Sequence, residues 1–113
     1  MRRIGDATTI IGLGHTLLGL YRFHGQFLEM AAAGLFATGA GELRGWAFWF
    51  TFSGLLMMVL GRAMGALERR GLPIPRSLGL WILLSSALGA AVFPVSGFWL
   101  LIGVALAILG TGR

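Results

Sequence analysis

Cysteine is absent from this 113-residue chain, and all nine of its Lys+Arg residues are arginine, so lysine is absent too. Without a thiol there is no disulfide staple, no thiolate metal site and no cysteine-based redox chemistry. Charge is scarce: 12% of residues are Asp, Glu, Lys or Arg, against about 25% in an ordinary soluble domain. A small soluble domain is mostly surface, and that surface has to be wetted. So few charges cannot cover a water-exposed globule of this size. Acids are rarer still, with four in the whole chain. None falls in the apolar core of the last three apolar segments, which leaves a buried Ser-His-Asp arrangement without its orienting carboxylate. Phosphate-binding glycine loops, HExxH and paired carboxylates are also missing, and no metal site is expected.

Apolar residues are what the chain has in quantity, 57% of the total with a mean hydropathy of +0.84. The net charge of +5 does not point to nucleic acid, because the arginines sit at the ends of apolar segments and form no basic face. Arginine without lysine, with abundant Gly and Ala, fits the codon usage of a GC-rich bacterial genome.

The chain divides into apolar stretches separated by arginines, glycines and prolines. The first, Ile4–Phe23, has the length that spans a bilayer core of about 30 Å at about 1.5 Å per residue. A cleaved signal peptide fits it poorly, since His15 interrupts the apolar run and the small residues Ala31-Ala32-Ala33 come late for a cleavage site. Residues His24–Gly41 place Phe27, Leu28, Ala31 and Leu35 on one helical face and Gln26 and Glu29 on another. This predicts a short interfacial helix, broken at Thr38-Gly39-Ala40-Gly41. The next stretch, Glu42–Arg70, is longer than a bilayer requires, which implies tilt or cytoplasmic projection of its last turns. Pro73 and Pro75 end it. Ser77–Phe93 and Gly97–Thr111 are joined by Pro94-Val95-Ser96 and must form an antiparallel hairpin.

These segments predict a single all-α domain over residues 1–113: a bundle of four transmembrane helices with an interfacial helix between the first and second. Arginine placement sets the expected orientation. Arg2, Arg3, Arg62, Arg69, Arg70, Arg76 and Arg113 fall on one side, and Arg22 and Arg44 on the other. Both termini are therefore expected in the cytoplasm, with the protein in the bacterial inner membrane. Tyr21, Trp46, Trp49 and Trp99 would mark the outer interface and Trp81 the inner one.

His15 is the residue with the most chemical potential, because a polar side chain in mid-membrane is expensive and usually faces the interior of the fold. It is a candidate ligand-binding, proton-handling or cofactor-ligating group. The competing reading is a neutral histidine bonded to a carbonyl or a serine. Ser53, Ser85 and Ser86 lie at similar depth and are candidates to converge with it, or else are ordinary interhelical glue. Glu29, Arg44 and Trp49, with His24 and Glu42, form a candidate outer mouth, either a salt-bridged lid or a solvated rim. Asp6 and Arg62 lie at matching inner depth and are expected to pair. Gly61 and Gly65 form a small-xxx-small contact pattern, as do Ser85 and Gly89. Met57, Met58 and Met64 read as flexible packing.

Three stretches carry a resemblance: Gly12-Leu13-Gly14-His15-Thr16-Leu17-Leu18-Gly19, Arg44-Gly45-Trp46-Ala47-Phe48-Trp49-Phe50 with Gly54, and Arg70-Gly71-Leu72-Pro73-Ile74-Pro75 followed by Pro94-Val95-Ser96-Gly97-Phe98-Trp99. Together they resemble an uncharacterised family of small four-helix bacterial membrane proteins, a domain of unknown function. The resemblance implies a fold and no activity. Its matching positions are His15, Arg44, Phe48, Trp49, Pro75, Pro94, Ser96, Gly97 and Trp99. The small multidrug exporters have similar length and helix number, but they use a glutamate embedded in the first helix, and this chain has none there.

Three functions follow as expectations. The foremost is a non-catalytic membrane module that packs on a partner subunit, on another copy of itself or on a lipid-like ligand, with the bilayer as its environment and no nucleic-acid partner. The alternative is a small membrane enzyme or cofactor-binding protein that uses His15 as base or axial ligand. The third is a proton-coupled transporter, disfavoured by the missing core carboxylate. No particular cofactor is implied.

Overall fold

The computed structural model describes residues 3–94 and 96–111. Arg2 and Arg113 of the arginine count, and Val95 of the hairpin link, lie outside the described residues. The fold is all-α: α1 (Ile4–Arg22), α2 (His24–Ala32), α3 (Glu42–Arg69), α4 (Arg76–Val92) and α5 (Phe98–Thr111). No strand occurs among the described residues. The helix boundaries follow the punctuation of the sequence, with two informative differences in α2 and α3.

The chain forms two compact units, one of Ile10–Val59 and one of Met1–Thr9 with Leu60–Arg113. Helices α1 and α3 each contribute residues to both.

In the unit Ile10–Val59, α1 and α3 approach backbone to backbone. A Cβ on Gly12 would sit 2.7 Å from the Gly54 carbonyl oxygen, and a Cβ on Gly54 would sit 2.7 Å from the Thr16 nitrogen. Only glycine permits this approach. Thr16 donates its hydroxyl to its own helix, at the Gly12 carbonyl, 2.9 Å away, and lays its oxygen against the Gly54 Cα. Thr51 does the reciprocal thing on Gly19. Its hydroxyl is buried without a hydrogen-bond partner among the described residues, and its oxygen lies against Gly19, where a weak Cα–H contact of the kind common between closely touching helices can form.

Helix α2 is shorter than the His24–Gly41 expectation and stops at Ala32. Gly34 takes a left-handed φ of 95°. The Leu35 amide then donates to Met30 O at 2.9 Å and the Gly34 amide to Ala31 O at 3.1 Å. These paired bonds are the Schellman ending, which reuses carbonyls that a helix terminus leaves free. Glycine reaches that conformation without a Cβ clash, so the helix ends there, well before Thr38. Beyond it, Leu35 and Ala37 hold φ of 68° and 58°, at a cost of about 1–3 kcal/mol each.

In the unit Met1–Thr9 with Leu60–Arg113, the glycine contact continues: a Cβ on Gly5 would meet Gly61 O at 2.6 Å and clash with the Gly65 nitrogen. Thr9 lays its hydroxyl oxygen on Gly61 while donating to Gly5 O at 2.8 Å. The last turns of α3 do not project freely. Glu68 accepts the Ile4 and Gly5 amides at 3.0 and 2.8 Å and holds α3 to the start of α1. A second Schellman ending closes α3, with Leu72 donating to Leu67 O at 2.9 Å and Gly71 at a φ of 70°. Helices α4 and α5 pair as the expected hairpin. Gly79 packs on Ile108 and Leu109, the Phe98 ring covers Gly89, and Arg76 donates to Leu109 O at 2.6 Å. Ser96 caps α5 at the Phe98 amide, 3.3 Å away, and Trp99 Nε1 donates to Pro94 O at 2.8 Å.

One helix, α3, is long and apolar enough to cross a membrane. The expectation of four such helices is therefore met by length and composition for α3 alone. Helix α1 has 19 residues, but Asp6, three threonines and His15 dilute it. Helices α4 and α5 are apolar but have 17 and 14 residues. Met64, Ile108, Ile74 and Val104 are buried, and small or weakly polar residues share the core with them while many large apolar side chains stay outside. The fully buried positions include Ala47, Ala105, Thr8 and Ser86, while Leu17, Leu55, Leu84, Leu88 and Leu106 are exposed.

Candidate functional site

The site forms where α1 and α3 bring an imidazole to a hydroxyl. Gly12 and Thr16 lie on α1's contact face, and His15 projects beside them, partly exposed. Across from it, Ser53 Oγ lies 3.1 Å from His15 Nε2. The same hydroxyl donates to Phe50 O at 2.7 Å, back along its own helix. A serine has one proton to give, and the shorter bond takes it. Nε2 therefore carries the imidazole proton and donates to Ser53, leaving a lone pair on Nδ1. The imidazole is stacked on Phe50, with ring centroids 4.0 Å apart and planes 21° from parallel. Phe23 meets the same Phe50 ring in a tilted contact at 5.7 Å. Serine and phenylalanine together fix the ring's tautomer and plane. They do not activate Ser53, because its proton is already committed to a backbone carbonyl.

Ser85 and Ser86, the other two serines expected at this depth, lie in the other unit. Both spend their hydroxyls on their own helix, Ser85 at Trp81 O (2.8 Å) and Ser86 at Ile82 O (2.5 Å). Hydroxyls in a helix interior readily bond the carbonyl one turn back, and sequence depth alone does not reveal that choice.

Of the residues expected at the outer mouth, Glu29 and Arg44 meet at 3.6 Å. Arg44 also donates to Thr38 O at 3.4 Å, tying the turn after α2 to the start of α3. His24 instead uses Nδ1 on Tyr21 O, 2.9 Å away, at the end of α1. Trp49 is exposed and packs edge-on against Phe48 and Phe52, at 5.2 and 5.9 Å. In the other unit Arg62 meets Asp6 at 3.3 Å and reaches Thr9 Oγ1 at 3.5 Å, as their matching depth predicts. Among the described residues no three His, Asp or Glu side chains gather into a metal-binding cluster.

Glu68 is the polar residue the sequence did not single out. Its carboxylate caps the positive end of α1, where amides lack helical partners. Its position 64 residues from Ile4 hides that role. The one signal in the sequence is that α1 has no Ser, Thr, Asp or Asn immediately before Ile4 and so lacks a local cap.

No curated protein and no solved structure matches the chain. One family model does match, over residues 1–113, and its description is a family of unknown function, DUF6463. Matched from end to end by that model, the chain belongs to the DUF6463 family.

Proposed function

We propose that this chain is an integral membrane protein of four spanning helices, α1, α3, α4 and α5, with α2 at the interface. Both termini would be cytoplasmic, in a bacterial inner membrane, and the protein would act by binding or packing rather than catalysis. The observation that carries this is the extent of exposed apolar surface. Thr8, Thr51, Ser86 and Ala47 are buried while 26 large hydrophobic side chains are exposed among the described residues. In water such a surface is an aggregation hazard. In lipid it is ordinary, because helices there associate through small and weakly polar residues. The glycine-threonine contacts of α1 with α3 are of that kind. Helix α5, with 14 residues, reaches about 21 Å, so it spans only with local thinning of the bilayer or shielding by protein.

The test is fractionation. The chain is expected to stay with membranes through an alkaline wash and to need detergent for release. Recovery as a folded species in plain buffer removes the reading. The binding role is tested by native mass spectrometry from mild detergent, where a retained lipid, partner or second copy is expected. A bare monomer counts against it.

One observation favours a second reading, a cofactor or enzyme site at His15: its Nδ1 lone pair has no partner among the described residues. Against it stands Ser53, whose proton is already engaged at the Phe50 carbonyl. A coloured preparation that His15→Ala bleaches would support the cofactor role. A colourless protein whose bound species survive that change excludes it.

A further inference from the structure

A shallow groove of about 340 Å³ runs along the unit Met1–Thr9 with Leu60–Arg113. Arg3, Ile4 and Ala7 line one side, and Leu100, Gly103 and Ala107 of α5 the other, with Val104 among them. Its lining is apolar except for Arg3. We propose that this groove holds one acyl chain of an anionic phospholipid, with the lipid phosphate paired to the Arg3 guanidinium. The proposal rests on the membrane reading above and deepens it by naming the ligand class.

Three observations converge on this occupant. Gly103 is not a helix-packing glycine, since a Cβ built on it meets nothing within 4 Å. Its missing side chain keeps the groove open. Arg3 is exposed and forms no ion pair among the described residues. The acids of its unit are engaged elsewhere, Asp6 with Arg62 and Glu68 with the Ile4 and Gly5 amides. A free guanidinium is the side chain best matched to a phosphate's oxygens. Finally, cations outnumber acids around the first turn of α1. Arg62 and Arg69 nitrogens lie 3.3 and 3.2 Å from the Cβ position of Gly65, and with Arg3 they exceed Asp6, which pairs with Arg62, and Glu68, which caps the Ile4 and Gly5 amides. A zwitterionic head group gains less from such a field than an anionic one. Basic pockets between helices on the cytoplasmic side, where anionic lipid is richest, suit that head group.

The experiment uses the full chain and its Gly103→Leu and Arg3→Gln variants, each in nanodiscs of equal phosphatidylglycerol and phosphatidylcholine with identical acyl chains. Native mass spectrometry then reads the lipid retained after release. The wild type is expected to keep one phosphatidylglycerol, and Arg3→Gln to lose roughly fivefold of its preference over phosphatidylcholine. Gly103→Leu, whose side chain enters open space and so leaves the packing intact, is expected to lose retained lipid of both kinds. Equal retention of the two lipids by the wild type overturns the proposal, as does undiminished retention by Gly103→Leu. A dimer that Gly103→Leu abolishes gives the groove to a second copy and overturns it too. Absence of lipid from a chain that still requires detergent sinks this inference alone. A chain soluble in plain buffer sinks the membrane reading with it.

Discussion

At the scale of single residues, the glycines of α1 and α3 divide into those that the neighbouring helix needs and those it does not. Gly54→Ala places a methyl 2.7 Å from the Thr16 nitrogen and 2.8 Å from Gly12 O. Both are backbone atoms and cannot rotate away, so the helices must separate. The expected loss is about 1–3 kcal/mol, the usual cost of overpacking, read as a lower unfolding midpoint in detergent. Gly14, in α1, has open space at its Cβ position. Gly14→Ala is expected to be neutral or to gain up to about 1 kcal/mol from helix propensity. If both variants melt alike, the backbone contact is not what holds α1 to α3. His15 poses a similar question. If Ser53 and Phe50 merely fix the imidazole, Ser53→Ala and His15→Phe each cost about 1 kcal/mol. The double variant should then cost clearly less than the sum. Additive losses in thermal melts would mean that the 3.1 Å contact contributes nothing.

At the scale of helices, the long α3 organises its neighbours by carrying different chemistry along its length. Its first half presents Phe50, Thr51, Ser53 and Gly54 to α1 within one unit, and its last turns present Gly61, Gly65 and Glu68 to the start of α1 within the other. The α1-facing positions are 51, 54 and 58 in the one unit and 61, 65 and 68 in the other, each set in steps of three and four, the spacing of close-packed helices. Glu68 ends the second set with a capping carboxylate. Glu68→Ala removes the partner of two amides at once and is expected to destabilise the fold by about 1 kcal/mol, as loss of a helix cap does. Faster amide exchange at Ile4 and Gly5 than in the wild type would confirm the mechanism. Unchanged exchange there would show that the cap does not form in solution. Part of this was legible beforehand: Gly61 and Gly65 stand out by spacing, and Asp6 and Arg62 by depth. Glu68 did not, because helix capping across the chain leaves no local pattern.

At the scale of the whole molecule, the missing cysteine becomes an experimental advantage. A single introduced thiol reports its own side of the membrane without background. Ala40, between α2 and α3, and Leu72, between α3 and α4, are both exposed. Under the proposed orientation, Ala40→Cys is expected to react with an impermeant maleimide in intact cells and Leu72→Cys only after lysis. The reverse pattern would invert the topology, and labelling of both in intact cells would end the four-span reading. Changing Arg69, Arg70 and Arg76 to Gln weakens the arginine bias and is expected to raise the labelling of Leu72→Cys.

Composition and spacing by themselves determined the helical class, the positions of the five helices to within a few residues at most ends, and the pairing of α4 with α5. Those follow from local causes: apolar runs, prolines and a link too short for any other path. The early stop of α2 was a local matter as well, but it depended on which glycine would turn left-handed, and several were available. The site was decided elsewhere. That Ser53 meets His15 while Ser85 and Ser86 bond their own carbonyls, and that Glu68 reaches α1, follow from rotamers and helix contacts between residues far apart in the chain. A hydroxyl with two acceptors in range takes the better-placed one, and only packing in three dimensions sets which that is.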